Sequence, residues 1–398
     1  MIHRIYSSLP MFKTLALKPG LNVLVAKKEV GASDKQTRNR AGKTSLIEIV
    51  HFLMGSDAGK DSLFRLDALV NESFGIEFDL GGEQLCVERS GQQKNKIHIA
   101  GASFLDGTST LANSEWVELL GEKMFGLRQV SDVNGRMPTF RSLFSYFVRR
   151  QLGEGFTAPE KQANKQQVGD YQVALQFLLG LDWRITSDRS HGALDNFSQL
   201  QGEAARQEAR VEFLRQRFES AEQMESAKNE LDIERNRLTL RLRRDFSEQK
   251  ERLSAAILAF EETSKRLYES AGRMQVEVTP NGPTFQFPMQ GSRSKGIKNM
   301  QIFCFDMMLM RLCARRGVGP GFLIHDSHLF DGVDGRQLIS TLKVGAETAQ
   351  ELGFQYLVTM NEDDAFKETV AGFNIADYML DTVLTDATED GGLFGFRF

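Results

Sequence analysis

The chain has 398 residues, 41% hydrophobic and 26% charged, room for two domains or for one domain with a large insertion, in the ordinary range of a globular protein. A formal net charge of −4 excludes a globally basic nucleic-acid binder and leaves only a local basic patch. Cys86, Cys304 and Cys313 are too scattered for a metal-ligand pattern, and no stretch approaches a signal peptide or a membrane span, so a cytoplasmic protein without membrane contact is expected.

Residues 1–198 mix short apolar runs with Gly-marked turns, as an α/β or α+β lobe would. Leu21, Val23 and Val25 alternate with Asn22, Leu24 and Ala26 in a buried strand over 21–26. A basic loop with Lys35, Arg38 and Arg40 leads into "TRNRAGKTS" (37–45) and a helix over 44–55 that stops at Gly55. Strand, loop and helix are the setting of the phosphate-binding loop G-x-x-x-x-G-K-[ST]. There, backbone N–H groups and a helix N-terminus converge on phosphates, the lysine reaches the β/γ-phosphates and the hydroxyl holds Mg²⁺. Gly42, Lys43 and Thr44 fit that motif, whereas Thr37 replaces its first glycine and Arg40 stands where close backbone approach favours a small residue. With Asn39, Arg40, Ala41 and Ser45 they form the candidate ATP-binding set; a basic surface turn containing Gly-Lys-Thr is the competing reading. Further on, 74–90 reads as a hairpin turning at Gly81-Gly82, and "RQLGEG" (150–155) offers Gln151 as a residue lining the interface between lobes.

Between Gly202 and Gly272 there is neither glycine nor proline. Apolar residues at Ala204, Val211, Leu214, Phe218 and Ala221, then Leu231, Leu238, Leu242, Phe246, Leu253, Ile257, Phe260 and Leu267, recur at threes, fours and sevens. The segment 199–271 is therefore expected to be a short antiparallel coiled coil reversing near "QMESAKNE" (223–230), a shortened form of a longer one. The apex lacks turn chemistry, which is why a shortened form is expected; a single continuous helix over 203–270 is the alternative.

Residues 272–398 return to strands and helices. A hairpin over 276–287 turns at Asn281-Gly282, and a helix over 297–316 ends at Gly317. "GSRSKGIKNMQ" (291–301) puts Ser294, Lys295 and Gly296 before that helix, similar to the reduced core S-x-G-x-[KQ] of an ABC signature; a simple N-cap is the plainer reading. "GFLIHDS" (321–327) is an apolar strand ending in Asp326, as in a Walker B element that holds Mg²⁺. Ser327 stands where hydrolysing ATPases with this element carry a glutamate, and Asp331 lies close behind; these three are the candidate catalytic residues. A second apolar strand, 354–363, ends in "TMNED" and places Asn361 where a switch histidine is usual.

In this order the motifs resemble the ABC-type ATPases of the SMC and double-strand-break-repair class. More closely, "KQTRNRAGKT" and "HDSHLFDGVDGRQ" are similar to a bacterial family with an R-N-x-x-G-K-[ST] P-loop and an H-D-S-x-x-F-D-G-V-D motif. The resemblance implies an SMC-like ABC ATPase head of the ABC-three-component or Lamassu-like defence systems: a P-loop NTPase with two lobes (1–198 and 272–398) around an inserted antiparallel coiled coil. It implies a homodimer sandwiching ATP and Mg²⁺, with Lys43, Thr44 and Asp326 of one chain opposite Ser294 and Gly296 of the other. Double-stranded DNA and other defence subunits, a nuclease effector among them, are the implied partners. Arg149, Arg150, Arg241, Arg243 and Arg244 are the expected phosphate contacts. A DNA-repair ATPase with strong turnover and a non-hydrolysing ATP-bound scaffold are the alternatives.

Overall fold

The computed structural model describes residues 1–27, 42–105, 107, 109–127, 136–163, 166–187, 212–289, 294–366, 370–385, 388 and 390–396, with side chains left out over 212–224. The strands are β1 (Ile2–Ser7), β2 (Leu15–Ala16), β3 (Gly20–Lys27), β4 (Ser73–Leu80), β5 (Glu83–Ser90), β6 (Lys96–Ala100), β7 (Thr110–Ala112), β8 (Gln275–Thr279), β9 (Gly282–Gln286), β10 (Phe322–His325), β11 (Gln355–Asn361) and β12 (Leu384–Thr385). The helices are α1 (Lys43–Leu53), α2 (Asn113–Phe125), α3 (Phe140–Phe144), α4 (Val168–Leu179), α5 (Glu212–Glu248), α6 (Lys250–Leu267), α7 (Lys295–Arg315), α8 (Gly335–Leu352) and α9 (Glu362–Ala365).

The class is mixed α/β. An antiparallel sheet in the order β2-β1-β4-β5-β6-β7 carries the alternating patterns of the first hundred residues, with β4 and β5 joined through Gly81 and Gly82, both at positive φ. A parallel sheet in the order β10-β11-β3-β12 takes β3 from the N-terminal part of the chain and the other three strands from the C-terminal part. The two lobes expected from composition are thus stitched together by one sheet. Its strands are buried on both faces, β3 from Leu21 to Ala26 and β11 from Gln355 to Met360, which is why they read as near-continuous apolar runs. Helix α1 packs on β4 and β5, and α8 covers β3 and β11.

Helix α5 runs without interruption through 223–230, so the reversal expected there is absent. The physical reason was already in the sequence: those eight residues hold no helix breaker, and a helix lacking one continues. The break comes instead at Gln249, whose backbone leaves the helical region at φ −98° and ψ 21°, after which α6 begins. From Glu225 to Arg237 the helix is almost wholly exposed, and burial starts at Leu238, Leu242 and Phe246. The heptad-like spacing therefore seats the base of the arm on the globular body. Along α6, Ala256, Ala259, Phe260 and Thr263 are buried where it packs on α7. Residues 199–211, which would hold the start of the expected coil, lie outside the described residues.

The β8–β9 hairpin turns one residue earlier than expected. Thr279 pairs with Gly282, so Pro280 and Asn281 make the turn and Gly282 follows at φ 97°.

Candidate nucleotide-binding site

The parallel sheet brings three distant segments to one edge. β11 lies between β3 and β10, with Asn361 opposite Ala26 and Val358 opposite His325. All three strands run the same way, so β3 feeds α1 at the edge where β10 releases Asp326 and β11 releases Asn361. In open parallel sheets this carboxyl edge is where ligands bind.

Gly42 begins α1 at φ 87°, and a Cβ there would stand 2.7 Å from the Leu393 Cβ, so both the turn and the packing require glycine. The helix start has no side-chain cap and no acidic residue in its first turn. An uncapped helix N-terminus with a lysine at its first position is chemically suited to an anion. The Lys43 ammonium donates to Asn361 Oδ1. Thr44 Oγ1 donates to Asp326 Oδ2 at 2.9 Å. Asp326 Oδ1 accepts from Ser327 Oγ at 3.0 Å and from Thr359 Oγ1 at 3.2 Å, while Thr359 Oγ1 also accepts from the Ser327 amide. Asn361 Nδ2 donates in turn to Asp364 Oδ2 at 3.1 Å.

The opposite end of α1 is clamped as firmly. Arg89 donates to the Phe52 carbonyl and, at 2.9 Å, to that of Ser56; Trp116 Nε1 reaches the Leu53 carbonyl at 2.9 Å; Arg141 reaches that of Met54 at 3.2 Å. Two guanidinium groups at a helix C-terminus complement its dipole and satisfy carbonyls the helix cannot. Burial lowers Arg141 to about 9 and Arg89 to about 10, and both stay protonated at neutral pH.

Behind the site sits an ionic cluster that sequence reading missed. Arg149 and Asp306, both fully buried, pair at 2.7 Å. Arg149 also donates to the carbonyls of Gly155, Pro159 and Lys161, at 2.8, 2.7 and 2.6 Å. Asp306 Oδ2 lies 3.2 Å from His325 Nε2, and His325 Nδ1 lies 2.9 Å from the Tyr356 hydroxyl. Burial holds the imidazole below its ordinary range despite the Asp306 carboxylate. One aspartate in the apolar run "IFCFDMMLM" of α7 and one histidine at the end of a buried strand were the available signal.

This placement corrects the expected DNA contacts. Arg149 faces the interior and cannot meet a phosphate backbone. Arg150 is only partly exposed and pairs with Glu48 of α1 at 2.8 Å. Arg241, Arg243 and Arg244 do lie exposed at the base of the arm.

Gln151 sits in an exposed turn. A parallel bridge from Val148 to Ile324 directs its segment toward the same edge as Asp326. Ser294 is the N-cap residue of α7 without a side-chain cap bond, and Lys295 pairs with Asp331 at 3.0 Å. Gly296 is buried so closely against the Gly332 carbonyl that a Cβ would collide with it. Asp331 also accepts from His328 Nδ1 at 2.9 Å. Ser45 follows Thr44 in the first turn of α1, half-buried; Asn39, Arg40 and Ala41 lie outside the described residues. A cavity of about 250 Å³ opens beside Asp326, lined by Ser327, Phe330, Asp331, Gly335, Leu338 and Asp364.

The donors fit magnesium and nucleotide. Mg²⁺ takes one or two protein oxygens and completes its shell with phosphate and water, and Thr44 with Asp326 offers that number. Among the described residues no group of three or more His, Cys, Asp or Glu gathers for a metal held by protein alone, and no helix is long and apolar enough to cross a membrane.

Several solved structures are similar to the chain over nearly its whole length. The Smc head domain with an extended coiled coil, bound to the C-terminal domain of ScpA, from Pyrococcus furiosus is 13% identical, with 91% of this chain and 90% of that chain covered and a TM-score of 0.44. The Smc head domain with a coiled coil and joint from Pyrococcus yayanosii is 12% identical, with coverages of 98% and 96% and a TM-score of 0.45. The recombination mediator RecF in its ATP form is 12% identical, with coverages of 96% and 95% and a TM-score of 0.42. No curated protein matches the chain in sequence. The profile of a bacterial family described as "Uncharacterised protein conserved in bacteria (DUF2326)" matches residues 263–398, the part that carries Ser294, Asp326 and Asn361 but not Lys43.

Proposed function

We propose that this chain is an ATP-binding head of the ABC/SMC type, in which Mg-ATP controls dimerisation and DNA engagement. The observation that carries the reading is the meeting of Lys43 with Asn361 and of Thr44 with Asp326 at one sheet edge, from segments about three hundred residues apart. Bound there, Mg²⁺ would neutralise phosphate charge. Lys43 and the start of α1 hold the phosphates, Thr44 and Asp326 hold the metal, and Asn361 orients the Lys43 ammonium. Ser294 and Lys295 at the start of α7 lie exposed, as a surface that meets the nucleotide of a second copy must, while Gly296 behind them is buried. The arm formed by α5 leaves the body at Leu238, so a change in head pairing would be carried along it.

The motif "HDSHLFDGVDGRQ", similar to that of a bacterial defence family, is what favours a more specific role. In it the chain is the DNA-sensing subunit of a multi-component defence complex against phage or plasmid DNA, restraining an effector such as a nuclease. The exposed Arg241, Arg243 and Arg244 would contact DNA phosphates without reading sequence.

The test is light scattering of the purified chain with and without Mg-ATP, alongside double-stranded DNA binding. Dimerisation and tighter DNA binding with ATP, both lost in Lys43→Ala, are expected. A chain that neither binds ATP nor changes its oligomeric state would overturn the reading.

A further inference from the structure

A P-loop site that hydrolyses ATP needs a group to take the proton of the attacking water. At the end of β10 the residue after Asp326 is Ser327, and its hydroxyl donates to Asp326 Oδ1, so it is a bridge to the metal ligand and not a base. The carboxylates nearby are not equivalent. Asp331 accepts from both Lys295 and His328 through the same oxygen, which draws its charge toward that pair. Glu362 faces Lys27 at 3.9 Å. Asp364 differs. It lines the same cavity as Ser327, its only described hydrogen bond comes from Asn361 to Oδ2, and Oδ1 accepts none among the described residues. It is half-buried, so water reaches it from the cavity. The bond order also matters: Lys43, the phosphate-holding cation, donates to Asn361 Oδ1, and Asn361 Nδ2 donates to Asp364. A single amide therefore separates the carboxylate from the group that would grip the γ-phosphate.

We propose that Asp364, delivered by the strand next to β10, is the general base that Ser327 cannot be. The inference rests on the nucleotide-site reading above and assigns its missing chemical group. The water oxygen bonds to the γ-phosphorus as the bond from that phosphorus to the β,γ-bridging oxygen breaks. The bridging oxygen keeps the electron pair and leaves on ADP. The water proton passes to Asp364 and from there to the departing inorganic phosphate. Asn361 has two roles in this arrangement: its carbonyl oxygen accepts from Lys43, and its amide group aims the carboxylate.

The discriminating variant is Asp364→Asn, which still accepts the hydrogen bond from Asn361 while losing its basicity. Three readouts are taken on the full chain: affinity for a fluorescent ATP analogue, Mg²⁺-dependent phosphate release with DNA present, and the pH profile of that release. Nucleotide affinity should stay within a few-fold of wild type while release falls by about a hundredfold or more, the usual contribution of a positioned base. The acid limb of the profile should disappear with it. Asp364→Glu should keep part of the rate, and Ser327→Glu in the Asp364→Asn background should restore release by placing a carboxylate at the end of β10. Wild-type release from Asp364→Asn would overturn the assignment, as would a wild-type chain that binds Mg-ATP and releases no phosphate; both leave the binding site standing. Failure of the wild type to bind the analogue at all would instead remove the nucleotide-site reading and this inference with it.

Discussion

Thr44 and Asp326 stand 282 residues apart in the chain and 2.9 Å apart in space, the hydroxyl donating to the carboxylate. One comes from the first turn of α1 and the other from the end of β10, and β11 lies between β3 and β10 in the sheet. Two hard oxygen donors so joined are what a partly hydrated magnesium ion requires. Asp326→Ala should therefore remove the Mg²⁺ dependence of ATP binding. Lys43→Ala should weaken binding at least tenfold, about 1.4 kcal/mol. Titration with and without a chelator checks both, and a Lys43→Ala chain that titrates like wild type would contradict the assignment.

The pair Arg149–Asp306 is fully buried, with further polar partners among backbone carbonyls and His325. Removing one member leaves an uncompensated charge in the interior. Asp306→Ala should cost about 3–5 kcal/mol in urea unfolding. Replacing both charges with apolar groups of similar size, Asp306→Leu with Arg149→Met, should recover part of that loss. Carbonyls that Arg149 now satisfies would be stranded, so recovery is not complete. If Arg149→Met alone weakened DNA binding with unfolding unchanged, the interior role given to it here would be wrong.

Gly296 meets the Gly332 carbonyl so closely that no side chain fits, and the opposing atom is backbone and cannot rotate away. Gly296→Ala should destabilise by about 1–3 kcal/mol through overpacking and displace the loop that carries Asp331. Gly59 has open space around it, and Gly59→Ala is the control expected to be close to neutral. Thermal melts of the two variants side by side make the comparison.

His51 and His325 are both buried, and burial is the first cause depressing each; His51 falls well below its ordinary 6.5. His51 Nε2 donates to the Val148 carbonyl at 2.7 Å, and Nδ1 lies 2.6 Å from an Arg141 nitrogen, so no place is left for a second proton. The unfolded chain then binds more protons than the folded one below about pH 6.5, and stability rises with pH through that window. The contribution is whole above about pH 6.5 and is lost as pH falls toward the depressed folded values. Urea unfolding at pH 7.5, 6.5 and 5.5 should show a decline on the acid side, shallower in His51→Gln. A flat profile over that range would count against neutral buried histidines.

Much of the candidate site is legible in the sequence. The strand over 21–26, the helix over 44–55, the strands ending at Asp326 and Asn361 and the helix ending at Gly317 all depend on short-range signals. These are period-two or uninterrupted apolar runs, glycine stops and the spacing of Gly42, Lys43 and Thr44. Such signals survive in sequence because each acts over a few residues of one element.

What the tertiary structure decided is which segments meet. Arg149 and Arg150 read as a basic pair facing solvent, yet one is locked to Asp306 and the other to Glu48, because α7 and α1 close over them. The heptad-like run over 231–267 showed correctly that a helix has an apolar stripe. It could not say that the stripe's cover is α7 and the globular body, since periodicity records that a face is buried and not what buries it. Asp364 carried no motif at all. Its place in the cavity follows from β11 lying beside β10, a long-range pairing of strands that no local pattern encodes.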